Sequence, residues 1–213
     1  MGVATVSLLA LREPIVIQNV EPELDCGRHP VKRELGDWLV VRADIFREGH
    51  DVLCAAVLYR SPQSEDWHEA PLRLDVNDRW EGAFPLDRIG RWRYTFESWT
   101  DRWASWVSDT RKKRDAAQNI ELELTEGRLL VERVLSRVTS PGDRDVLVRA
   151  RKNPTVPVLL STQLSGVMQR YADRSRAARY DKELVVVVDR ERARFAAWYE
   201  LFPRSQSSRA GMH

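Results

Sequence analysis

The hydrophobic period of this chain changes twice, and that double change limits the folds open to it. From Pro14 to Thr110 apolar residues come in short runs split by turn residues. From residue 111 to about 182 they recur at helical spacing, and after 183 the short apolar runs return. Side chains alternate across a strand with period 2 and repeat along one helix face with period 3.6. Strands, then helices, then strands leave two architectures. One is an α+β domain; the other is a helical module inserted into a β-sandwich whose last strands follow the insert.

The first stretch holds about seven strand-like runs at the spacing of a sandwich. They include Asp37 to Phe46, Val52 to Tyr59, Trp67 to Leu74, Arg79 to Phe84 and Arg91 to Trp99. The last alternates most clearly. Trp92, Tyr94 and Phe96 point one way and Arg91, Arg93, Thr95 and Glu97 the other, as in a strand solvated on one face. Breakers separate the runs at Glu48 to Asp51, Ser61 to Ser64, Asn77-Asp78 and Ile89-Gly90. This pattern predicts an immunoglobulin-like sandwich.

Beyond Arg111, the residues Ile120, Leu124, Val131, Leu135 and Val138 fit one stripe of an amphipathic helix ended by Pro141-Gly142. Asp143 is placed to cap a short helix running to Arg151. A third, capped by Asn153 or Thr155, carries Leu160, Leu164, Val167 or Met168, and Tyr171 on its apolar face. Leu184 to Val188 is apolar without alternation, as in a strand covered on both faces. Arg194 to Leu201 alternates again.

The 34 basic and 32 acidic side chains nearly cancel, which leaves no electrostatic footprint for nucleic acid or an anionic membrane. The first eleven residues are mildly apolar but too short to span a bilayer and have no signal-peptide pattern. Two cysteines, Cys26 and Cys54, make no disulfide framework and suit a reducing, cytoplasmic setting.

No nucleophile elbow or glycine-rich phosphate loop is present. Cys26 and His29 are one short pair, whereas zinc takes three or four protein ligands, so neither metal nor cofactor is implied. Asp66, His68 and Glu69 mix acids with an imidazole, but retaining glycoside chemistry needs two carboxyls about 5 Å apart across a sugar. Arg111-Lys-Lys-Arg114 is flanked by Asp109 and Asp115 and reads as a solvated start of the helical insert. Trp99, Trp103 and Trp106 are the candidate site residues. Exposed, they would stack on sugar rings; buried, they serve a core or an interface.

Several segments carry a family resemblance. They are Val20-Glu-Pro-Glu-Leu-Asp-Cys-Gly-Arg-His-Pro-Val-Lys-Arg33, Asp44 to Leu53, Asn77 to Gly82, Gly90-Arg-Trp92, Ser108 to Lys113, and the stretch from Phe195 to Ser205 with Ser208 to His213. Together they resemble the N-terminal region of bacterial α-1,4-glucan:maltose-1-phosphate maltosyltransferases. The resemblance selects the insertion architecture: a tail over 1–13, a β-sandwich over 14–110 and 183–202, a helical insert over 111–182, and a linker over 203–213. That linker leads in the family to an α-amylase-type (β/α)8 barrel, which holds the catalytic carboxylates and would lie beyond this chain. The resemblance further implies a homodimer whose contact the sandwich and insert help to build, α-glucan met only through the barrel, and no activity in this region alone. The alternative is a free-standing carbohydrate-binding module tethering glucan through its tryptophans.

Overall fold

A computed structural model of the chain describes residues 15–195 and Arg209. The residues 1–13 expected as a tail, and 196–213 with the second half of the last predicted strand, lie outside the described residues. Within them, helix and strand take nearly equal shares rather than the mainly-β composition expected.

Ten strands form two sheets. The first, in the order β1-β3-β7-β6, comprises β1 (Val16–Glu21), β3 (Trp38–Phe46), β7 (Arg79–Pro85) and β6 (Arg73–Leu74). The second, in the order β2-β10-β8-β4-β5, comprises β2 (Val31–Glu34), β10 (Leu184–Asp189), β8 (Gly90–Thr100), β4 (Leu53–Arg60) and β5 (His68–Pro71). The short β9 (Ala178–Arg179) also pairs with β8. Pairing is antiparallel except between β10 and β2.

One core lies between the sheets. Leu39, Val41 and Ile45 of β3 and Phe84 of β7 are buried with Val57, Tyr94, Phe96 and Val186 of the second sheet. The rings of Tyr59 and Phe84 stack across the gap with centroids 4.5 Å apart. The alternation of β8 holds through its first half, where Trp92 and Tyr94 are buried and Arg91 and Arg93 exposed. In its second half Thr95, Ser98 and Trp99 are buried as well, because β9 and the helices cover that face. The run from Trp67 to Leu74 is not one strand. It crosses from one sheet to the other at buried Leu72, passing over Gly82, where any Cβ would collide with Leu72 and with the Pro71 carbonyl.

β10 joins the core although it follows the helices in sequence. It lies between β2 and β8, with Val186 in register with Val31 and Trp92. Leu184, Val186 and Val188 are buried while Val185 and Val187 are half-buried, so one face is covered fully and the other in part.

Five helices separate β8 from β9: α1 (Arg102–Asp115), α2 (Glu121–Leu135), α3 (Pro141–Lys152), α4 (Val156–Leu159) and α5 (Thr162–Arg170). They enclose a second core of Trp103, Trp106, Val131, Leu147, Leu159 and Leu164. α1 begins at Arg102, nine residues before the expected change of period. The Asp101 side chain caps it by accepting from Ala104 N at 2.8 Å. Trp103, Trp106, Val107 and Thr110 form its buried stripe at i, i+3, i+4 and i+7. Pro141 does not end α2, which stops at Leu135; it opens α3 behind the Ser140 cap. The expected apolar face of α5 is present, with Leu164, Val167 and Met168 buried.

Candidate functional site

The three candidate tryptophans lie where β8 passes into α1, and all three are buried, with 5–6% of their surface exposed. Trp99 stands on the outer face of the second sheet, opposite Cys54. The Arg174 guanidinium sits 3.6 Å from its ring centroid. That guanidinium also donates to Glu69 at 2.6 and 3.2 Å and lies 3.5 Å from Glu97. Trp103 and Trp106 pack together with centroids 4.6 Å apart. Trp103 donates its indole N–H to Ser165 Oγ at 3.2 Å and Trp106 to the Glu123 carbonyl at 2.9 Å. A sugar platform needs an open ring face; these rings serve the helical core and its seam with the sheets.

That seam has an electrostatic clasp. The hydrogen bond from Arg174 holds the Glu69 carboxyl below its ordinary range, against a smaller opposing effect of burial. A depressed carboxylate contributes stability above its unfolded value, near pH 4.3, and loses it as pH falls through the lower folded value. The pair is partly exposed, so its ionic share is about 1 kcal/mol at most, with a cation–π contribution of similar size. A change in the Trp99 near-ultraviolet signal is therefore expected below about pH 4. Arg174→Met is expected to abolish that acid step; if the step persists in the variant, Glu69 is not its source.

The other candidates disperse. Asp25, Cys26 and Gly27 form a left-handed turn with φ of 49°, 54° and 82°. Its Cys26 and His29 are exposed, and Asp25 binds Arg28 at 2.6 Å. Glu23 anchors the back of this turn by accepting from Tyr180 at 2.7 Å and Lys182 at 2.8 Å. No cluster of His, Cys, Asp and Glu fit to hold a metal occurs among the described residues. Burial and neighbouring Asp101 push the Cys54 thiol up to about 11, so it stays protonated. His68 packs on Tyr59 and Glu69 belongs to Arg174, so Asp66, His68 and Glu69 build no joint site. The cluster Arg111 to Arg114 lies in the second half of α1 rather than before it. It suits the helix dipole there and is engaged with Asp109, Glu123 and Asp115.

Sequence reasoning missed Arg174, whose partners are remote in the chain, and Asp101, whose signal was local: an N-cap residue directly before the 103/106/107/110 stripe. It also missed Trp38 and Val40 as surface features. They are 63% and 42% exposed on the outer face of the first sheet. Arg194, the penultimate residue before the described stretch ends, is tied beside them to Glu34 at 3.2 Å and Asp37 at 2.9 Å.

A family model described as α-1,4-glucan:maltose-1-phosphate maltosyltransferase, domain N/S, matches residues 13–190. The chain belongs to this maltosyltransferase family. Among curated proteins, the α-1,4-glucan:maltose-1-phosphate maltosyltransferase of Myxococcus xanthus is 47% identical over 205 residues, covering 90% of this chain and 31% of that protein. The one from Rhodospirillum rubrum is 40% identical, covering 96% of this chain and 33% of that protein. For Burkholderia pseudomallei the values are 36%, 99% and 19%. The chain thus spans a third or less of the length of these relatives and corresponds to the N-terminal region of a maltosyltransferase. In this maltosyltransferase region the helices stand between β8 and β9, joined to the sheets through Asp101 at one end and Arg174 at the other.

Proposed function

We propose that this region is a non-catalytic accessory and assembly part of a maltosyltransferase. The parent enzyme transfers maltosyl units from α-maltose 1-phosphate to α-1,4-glucan with release of phosphate. The observation that carries this reading is the coverage. Nearly the whole chain aligns with the relatives, yet it accounts for only 31% and 33% of the first two, so most of a maltosyltransferase lies outside it. The two sheets around one core support an immunoglobulin-like sandwich as the scaffold. Exposed Trp38 and Val40 support a contact with the catalytic part or with a second subunit of a homodimer. Free thiols at Cys26 and Cys54 suit the cytoplasm, and no helix among the described residues is long and apolar enough to cross a membrane.

The test is direct. Purified chain incubated with maltose 1-phosphate and a maltooligosaccharide is expected to release no phosphate above a blank, while the same chain continued into the remainder of a maltosyltransferase releases it. Turnover by the chain alone would overturn the reading.

A further inference from the structure

Among the described residues, three buried side-chain atoms have no hydrogen-bond partner: Trp99 Nε1, Thr110 Oγ1 and Glu123 Oε2. Buried polar groups are paired in roughly nine cases out of ten or more, so each orphan needs a physical cause. Thr110 and Glu123 sit on different helices, α1 and α2, yet both line one cleft between them. The cleft measures about 320 Å3. That is room for about ten waters and within the range of small-molecule sites, which begins at about 300 Å3.

The lining selects the ligand's chemistry. Arg102, Arg133 and Lys113 offer donors, while Glu123, Glu126 and Asp109 offer acceptors. An isolated anion or cation would meet charge of its own sign at either side. A neutral polyhydroxyl ligand meets none, because each hydroxyl both donates and accepts. One hydroxyl can donate to Glu123 Oε2 and accept from the Thr110 hydroxyl, satisfying both orphans. Trp106 and Leu130 supply apolar lining of the kind a pyranose face takes. Trp106 is fixed in place: its indole donates to the Glu123 carbonyl, and Gly127 leaves room for its ring where any Cβ would overlap it. Lys113 covers Glu123 with an ion pair, but its side chain is 46% exposed on a flexible stem, so it can give way to an incoming hydroxyl.

We propose that the α1–α2 cleft is a saccharide subsite for one or two pyranose units of an α-glucan, with Thr110 and Glu123 as its hydrogen-bonding groups. The choice of α-1,4-linked glucose among saccharides rests on the proposed function; the site itself does not.

The experiment uses the 213-residue chain, isotope-labelled, with maltotriose as the probe and the Trp106 indole N–H resonance as the reporter. Saturable movement of that resonance is expected. Thr110→Val is expected to weaken binding about tenfold, the value of one lost hydrogen bond of about 1.4 kcal/mol. It is also expected to fold at least as well as the parent, since it deletes an unpaired buried hydroxyl. Glu123→Gln, a near-isosteric second variant, is expected to weaken binding as well. A resonance that stays still up to about 10 mM sugar, tenfold above a millimolar Kd, means the cleft holds solvent only and overturns the proposal. Unchanged affinity in folded Thr110→Val overturns it too. Equal movement with cellotriose upholds the subsite and overturns its α-1,4 selectivity, whereas the maltosyltransferase reading stands or falls separately on phosphate release.

Discussion

Gly127→Leu is expected to unfold the helical part of this chain while the two sheets keep their structure. In an exposed helix the change would help, since glycine costs about 1 kcal/mol relative to good helix formers. Here Gly127 is buried beneath the Trp106 ring, and even one added carbon would overlap it. The ring is rigid, and its own contacts with Trp103 and the Glu123 carbonyl hold it down. Overpacking alone costs about 1–3 kcal/mol, and displacing a buried tryptophan approaches the 3–5 kcal/mol of its deletion. The loss exceeds the propensity gain several-fold. Because the helical core and the sheet core are separate clusters, hydrogen exchange should show α1 and α2 losing protection while β3 and β8 retain theirs. Protection of α2 equal to the parent's would show that the Trp106–Gly127 contact does not control the helical core. Gly127→Ala sets the same two effects closer together and is expected to destabilise by a smaller margin.

The parts of this architecture that could be read in the sequence are those written in local periodicity. Trp92, Tyr94 and Phe96 alternate within one strand, and Leu164, Val167 and Met168 repeat within one helix, so each declares its own face. The start of α1 was hidden by chemistry rather than by missing signal. Trp99, Trp103 and Trp106 share the aromatic character of strands, and it masked the i, i+3, i+4 spacing that begins at Trp103. The division of the Trp67 to Leu74 run depends on Gly82 in another strand, and the clasp of Trp99 on Arg174, 75 positions along the sequence. The α1–α2 cleft is likewise invisible in the chain, because Thr110 and Glu123 become neighbours of one cavity only when the helices pack. The insertion of the helices was chosen by resemblance, since periodicity left an α+β domain equally open. The pairing of β10 with both β2 and β8 now shows strands before and after the helices sharing one sheet.

That shared sheet is the basis of the second large effect: Val186→Lys is expected to destroy the sheet core, whereas Val185→Lys is tolerated. The two positions are adjacent, have the same residue and lie in the same strand, but the pleat sends them to opposite faces. Val186 is fully buried between Val31 and Trp92, with no acid beside it, while Val185 is half-buried on the outer face. An unpaired ammonium in the core costs several kcal/mol even after relaxation, a large part of the 5–15 kcal/mol that holds a typical domain. A lysine at Val185 can extend its stem along the sheet and keep its charge in water. Circular dichroism and denaturant unfolding should therefore show Val186→Lys without a cooperative sheet transition and Val185→Lys close to the parent. Equal damage at both positions would mean that β10 is covered on both faces, as its unbroken run of valines suggests in isolation. The loss would also reach beyond the sheet. β10 carries the chain into the turn where Arg194 is tied to Glu34 and Asp37 beside Trp38, so a chain without β10 has no fixed point from which to present that surface to the rest of the enzyme.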